Sequence, residues 1–122
     1  MLQERSIIKI ADNSGAKTVR CFRVLGGSRK RYAYLGDVIV ASVQAAEPRK
    51  EVKKKDIVKA LIVRTRHPLR RPDGSVLRFD ENAAVLINEK SEPRSTRIFG
   101  PIPREIKEKG FEAVFGMAEE VV

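Results

Sequence analysis

Gly36-Asp37-Val38-Ile39-Val40-Ala41-Ser42-Val43 is answered nineteen residues later by Lys55-Asp56-Ile57-Val58-Lys59-Ala60-Leu61-Ile62-Val63. Both stretches open on an Asp at a turn and run into β-branched residues too short and too branched for a helix. Each reads as a strand, and Val38–Val43, apolar in both phases, reads as one covered on both sides. The echo between GDVIVA (36–41) and KDIVKA (55–60) follows as readily from two similar strand starts as from a duplication.

Working outward, Ser6–Ala11 and Ala16–Leu25 are two further strands. They are joined by Asp12-Asn13-Ser14-Gly15, whose Asx side chains can bond their own backbone and whose Gly accepts a positive φ, so the pair forms a hairpin. Gly26-Gly27 is a plain turn, and Pro72-Asp73-Gly74-Ser75 is another, followed by strands Val76–Phe79 and Ala83–Asn88. Six such strands, with Leu77, Phe79, Val85 and Ile87 as inward candidates, predict a small closed β-barrel, because closure removes exposed edges. The period changes after residue 100. Pro103 marks a helix start, Ile102 and Ile106 lie one turn apart, Glu105 and Lys109 form an i,i+4 pair, and Gly110 ends the turn. Phe111, Val114, Phe115 and Ala118 then make an apolar stripe suited to packing on the barrel. The expected organisation is one domain, 1–122, with a barrel over about 1–100 and a helical tail over about 101–122.

The 122 residues carry 25 Lys and Arg against 16 Asp and Glu, a net charge of +9, in a chain that is 42% hydrophobic. That is the composition of a folded body with a surface drawn to polyanions. No apolar run is long enough to span a membrane, and residues 1–5 show no signal-peptide core, so a soluble intracellular protein is expected. One cysteine, Cys21, excludes an internal disulfide, and its place in an apolar strand makes it a buried small hydrophobe. With His67 as the single histidine, no Cys/His zinc cluster can form.

The cations cluster in the connections: Arg29, Lys30 and Arg31; Arg49, Lys50, Lys53, Lys54 and Lys55; Arg64, Arg66, Arg70 and Arg71; Arg94 and Arg97. Loops rather than strand faces are therefore expected to carry the contacts, and guanidinium forks with mobile ammonium groups suit the phosphates of folded RNA. A single run of this kind is often just a solvated loop; four of them beside the net charge favour nucleic acid. Tyr32 and Tyr34 flank the first run, where a ring either stacks on an unpaired base or packs on the barrel rim. Asp80-Glu81 is an adjacent carboxylate pair, but Asp80 and Asn82 make a turn there and Glu81 faces water or a nearby Arg. No catalytic constellation, phosphate loop or cofactor motif accompanies these residues, so neither an enzyme nor a cofactor is expected. Two other classes compete. A free OB-like module for single strands would display aromatics on a strand face, whereas aromatic content is 6% and the apolar strand residues read as core. An RNA-processing enzyme would need a catalytic group, for which Asp80 is the candidate.

Ala60-Leu61-Ile62-Val63, nine intervening residues, Asp73-Gly74, four more, Phe79, then Asn82 and Val85-Leu86 form a long, specific signature. With ADNSGA (11–16), RVLGGS (23–28), RRPDGS (70–75), RFDENAAV (78–85) and TRIFGP (96–101), it makes the chain resemble the universal large-subunit ribosomal protein fourteen family, in its bacterial or organellar type, over nearly its whole length. The resemblance implies a five-stranded barrel with a protruding β-ribbon and small C-terminal helices, bound to large-subunit ribosomal RNA. It also implies an intersubunit bridge to small-subunit RNA and neighbours in large-subunit ribosomal proteins three and nineteen. A docking surface for the ribosome-silencing factor is implied at Thr96 and Arg97. The expected location is the ribosome, in the cytoplasm or an organelle. The chain departs from the family in carrying Lys50 and Lys55 where glycines are usual, in reading Arg94-Ser95-Thr96-Arg97 for an Arg-Gly-Thr-Arg pattern, and in its tail from Phe111 to Glu120.

Overall fold

A computed structural model describes residues 2–3, 5–26, 31–50 and 52–122. Strands β1 (Ile7–Ile10), β2 (Ala16–Val24), β3 (Val38–Ala46), β4 (Ile57–Arg64) and β7 (Ala83–Ile87) close into a barrel in the order β1-β2-β3-β4-β7. Neighbours are antiparallel except at the seam, where β1 runs parallel to β7 through Lys9↔Ala83 and Ile10↔Ala84. Between β4 and β7 the short strands β5 (Leu69–Arg70) and β6 (Val76–Leu77) pair as a separate two-stranded ribbon. After β7 come β8 (Pro101–Ile102), helix α1 (Glu105–Glu108), helix α2 (Glu112–Gly116) and β9 (Glu120–Val121), which lies parallel to β8.

The hairpin at Asp12–Gly15 forms as its residues dictate. Asp12 Oδ1 accepts from Ser14 N at 3.1 Å and from Ser14 Oγ at 2.6 Å, and Gly15 has φ +109°. The echo at the starts of β3 and β4 has a local cause. Asp37 Oδ2 accepts from Tyr34 N at 2.8 Å and Asp56 Oδ2 from Lys53 N at 3.0 Å, and the residue before each Asp is left-handed: Gly36 at φ +82°, Lys55 at +74°. Two equivalent Asx-stabilised turns require the same letters, so the likeness is a shared turn chemistry. Lys55 holds a conformation that glycine adopts without steric cost.

Alternation divides the apolar residues between two cores. Ile8, Val19, Cys21, Ile39, Ala41, Val43, Val58, Ala60, Ile62, Ala84 and Leu86 fill the barrel interior. The opposite phase of β4 and β7, which includes Leu61, Val63, Val85 and Ile87, faces outward and is covered by Ile98, Ile102, Ile106 and Val114 from the tail. Each such side chain, once fully buried, contributes about 1.5–3 kcal/mol of transfer free energy. The second core fixes the chain after β7 to the barrel: Asp12 bridges Ile98, and Phe99 N donates to Ala11 O at 2.6 Å.

Four sequence expectations change. The barrel has the five strands that the resemblance implies and not all six read from the residue pattern, because Val76-Leu77 pairs with Leu69-Arg70 outside it as a ribbon; Leu77 and Phe79 are half-buried there. Val85 and Ile87 point away from the interior, which Ala84 and Leu86 occupy. The strand covered on both sides is β4, together with β7. In β3 only Ile39, Ala41 and Val43 are buried, while Val38, Val40, Ser42 and Gln44 stay partly open to solvent. Glu105 pairs with Arg71 rather than Lys109, through Nη2···Oε1 at 2.7 Å and Nε···Oε2 at 3.1 Å, and Lys109 turns to Asp37 at 3.6 Å. A two-pronged guanidinium outcompetes an ammonium at the end of so short a helix. The stripe at Phe111, Val114, Phe115 and Ala118 packs on the barrel as expected, and Gly110, at φ +94°, follows α1.

Candidate nucleic-acid interface

The loop between β3 and β4 carries the densest charge. Arg49, Lys50, Lys53, Lys54 and Lys55 are all exposed there. With Lys17 of β2, four of them line an open groove of about 610 Å³ in which Glu47 is the one carboxylate among the described lining residues. The loop is held by backbone at both ends: Glu47 N donates to Gly15 O at 2.7 Å and Lys55 N to Val43 O at 2.8 Å. Its ammonium groups therefore stand on a fixed frame, at the barrel end that also carries the Asp12–Gly15 turn.

The remaining candidates separate by burial. Of the first run, Arg29 and Lys30 lie outside the described residues, Arg31 is exposed and Tyr32 is half-buried. Tyr34 is 42% exposed and meets the His67 ring edge-on, with centroids 5.8 Å apart. Arg66 is exposed, its backbone N held by Asn82 Oδ1 at 2.9 Å, and Arg70 is exposed on the ribbon. Arg70 shares a hollow of about 410 Å³ with Arg104, a cation the loop-based reading overlooked. Arg94 is exposed beyond β7. Arg97 is also exposed, lies over the Phe99 ring at 5.3 Å and pairs with Glu119 at 2.8 Å. Asn13 fixes the backbone under it: Asn13 Oδ1 accepts from Thr96 N and Arg97 N, each at 3.1 Å, and Asn13 Nδ2 donates to Thr96 Oγ1 at 2.9 Å.

Two expected contact residues are turned inward. Arg64 is 7% exposed, and its Nη1 donates to Phe99 O at 3.0 Å and to Pro101 O at 3.3 Å, while Nη2 lies 3.5 Å from Glu81 Oε1. Burial pushes this guanidinium below its ordinary pKa, with Glu81 opposing the shift. A register irregularity between Ile62 and Arg64 breaks the alternation of β4, and Arg64 turns under the tail, where the carbonyls of residues 99 and 101 accept from it. Arg71, also well covered, is taken up by Glu105 and by Val122 O at 2.8 Å, so it ties the ribbon to the tail.

Glu81 is likewise consumed in pairing, at 3.2 Å from Lys9 and 3.5 Å from Arg64. Among the described residues no group of three or more His, Cys, Asp or Glu side chains is placed to hold a metal ion, and no helix is long and apolar enough to cross a membrane.

Strand faces carry charge as well, which the concentration of cations in the loops had obscured. Lys9, Lys17, Arg20, Arg23 and Lys59 all belong to barrel strands and are turned from the interior; the outward phase of each strand was the signal that could have found Lys9, Arg20 and Lys59, whereas Lys17 and Arg23 lie at register shifts of β2 that break the alternation. A small barrel that fixes several cationic loops around its ends suits a large folded polyanion. A family model described as ribosomal protein L14p/L23e matches residues 1–122, so the chain belongs to that family and is a structural protein of the large ribosomal subunit.

Proposed function

We propose that the chain binds large-subunit ribosomal RNA through its basic loops and acts by adhesion alone, with no chemical step. The observation that carries this reading is the groove lined by Lys17, Arg49, Lys50, Lys53 and Lys54 on a backbone-fixed loop. Such an array neutralises phosphates where RNA helices approach one another and releases their counterions. Arg31, Tyr32, Arg66, Arg70, Arg94 and Arg97, with Arg29 and Lys30, extend the contact around the barrel, and Lys55 supports the loop. Arg64 and Arg71 act within the fold instead. The 122 residues work as one unit.

Family membership supports the finer reading. The chain sits at the subunit interface, contributes to a bridge with small-subunit RNA and neighbours large-subunit ribosomal proteins three and nineteen. It also presents Thr96 and Arg97, braced by Asn13, to the ribosome-silencing factor. Its place is the ribosome, of the cytoplasm or of an organelle.

The test replaces Arg49, Lys53 and Lys54 together by Ala in the full chain. Each phosphate contact contributes about 0.7–0.9 to the slope of log affinity against log salt, so the slope for ribosomal RNA should fall by about 2–3. Incorporation into large subunits should fall in parallel while the melting temperature stays near that of the parent, because these side chains are exposed. An unchanged slope with full incorporation refutes the assignment.

A further inference from the structure

The outer face of β1, β2 and the parts of β3 and β4 around Ser42 and Ile57 lies away from the tail, which covers Leu61 and Val63 of β4 together with β7, and it is built unlike a solvated sheet. None of these four strands contains an Asp or Glu. Across them the register aligns Ile7, Arg20, Ser42 and Ile57 in one row, since Ile7↔Arg20, Arg20↔Ser42 and Ser42↔Ile57 are direct partners. Ile7 is 58% exposed and Ile57 71%.

Beside that row β2 carries a bulge. Cys21 pairs with Ala41 and Arg23 with Val40, which leaves Phe22 as the extra residue. A bulge breaks the alternation and re-aims a side chain. Here it places Phe22 and Arg23 consecutively on the exposed side, with Arg20 two residues before them on the same side. The Phe22 ring is 44% exposed. Among the described residues no carboxylate pairs with Arg20, Arg23 or Lys59.

We propose that this face is a second RNA site, which takes an unpaired strand, with a base stacked on Phe22 and the adjoining phosphates on Arg20 and Arg23. It rests on the RNA-binding reading above but concerns a different surface and a different form of RNA. An exposed aromatic flanked by guanidinium groups on a carboxylate-free sheet is the combination that single strands use, because every base has a face to stack and the backbone supplies the charge. Within the strands no acidic residue favours an occupant of basic protein, Glu81 beside Lys9 and Glu89 beside Ile57 and Lys59 standing at the margins of the face, and Ile7 and Ile57 at the two ends of the row give further apolar surface on which a base or ribose can rest.

The test uses the full chain, a labelled oligoadenylate about eight nucleotides long and a short RNA duplex, followed by fluorescence anisotropy. Phe22→Ala should weaken the oligoadenylate by about 5- to 150-fold, the loss of one stacked base, and leave the duplex within about twofold. Phe22→Tyr should restore single-strand binding, which a purely structural role for the ring at the bulge would not require. Should Phe22→Ala fail to fold, Ile57→Glu tests the same face, since it adds a carboxylate at a largely exposed position, and it should weaken the oligoadenylate selectively. Equal losses on both RNAs, or no loss on either, overturn the proposal. If the parent chain binds duplex but no oligoadenylate, this face alone is refuted; if it binds neither, the RNA-binding reading falls with it. In assembled large subunits a photoreactive side chain at position 22 should capture RNA, and capture of a protein chain instead overturns the assignment.

Discussion

Replacing Arg64 by Ala tests whether this arginine serves the fold rather than RNA. The guanidinium donates to two carbonyls, Phe99 O and Pro101 O, from a site that is 7% exposed. Hydrogen bonds to a charged group contribute about 1.5–3 kcal/mol each, and removing one member of a buried charged network costs about 3–5 kcal/mol. Two factors reduce the loss. Glu81, half in solvent, adds little by its ion pair, and the Arg64 Nε–H, buried without a partner among the described residues, no longer has to be desolvated. The expected destabilisation is about 3–4 kcal/mol. At roughly 3–4 °C per kcal/mol for a chain of this size, the melting temperature should fall by about 10–15 °C, read by far-ultraviolet circular dichroism. Arg64→Lys should recover less than half of this, since an ammonium cannot reproduce the fork beneath Gly100, where the backbone approaches Nη1 so closely that a Cβ would overlap it. Arg66→Ala, at an exposed position two residues on, should change stability by less than about 0.5 kcal/mol. A loss under about 1 kcal/mol for Arg64→Ala, or a variant that melts like the parent but binds RNA poorly, would refute the buried role.

Ile106→Ala empties a fully buried position of the second core and should cost about 2–5 kcal/mol in a denaturant melt; a neutral result would mean that the tail does not hold the barrel wall. Lys55→Gly should stabilise by about 0.5–1 kcal/mol, because relief of a left-handed lysine, about 1–2 kcal/mol, exceeds the extra backbone entropy that glycine loses, and a lower melting temperature would contradict this. Asp73, at the ribbon turn, has its pKa held below the ordinary carboxylate value by Ser75, whose Oγ and N donate to Asp73 Oδ1 at 2.6 and 2.9 Å. A depressed carboxyl contributes stability that is full above its unfolded pKa and lost as pH falls through the folded one. Its carbon chemical shift should therefore titrate below the ordinary range, and Ser75→Ala should move the midpoint upward; an ordinary midpoint in the parent would remove the turn's role.

The sequence by itself determined the barrel strands, their turns and the cationic character of the connections. Asx residues and glycines at chain reversals, β-branched runs and clustered cations act locally, so they are legible one after another: Asp12 and Gly15, Asp37 and Asp56, and the loop from Arg49 to Lys55 all behave as their neighbours require. Tertiary structure decided which phase of each strand was covered, and by what. Alternation defines two faces but assigns neither to the interior; that assignment came from closure of β1 on β7 and from residues 98–122 returning across β4 and β7. Hence Val85 and Ile87 lie outside the barrel, Arg64 serves two distant carbonyls, and a bulge that no residue pattern announces exposes Phe22 beside Arg23. Each depends on contacts between residues far apart in the chain, and the free energy of such contacts is fixed only once the fold brings them together.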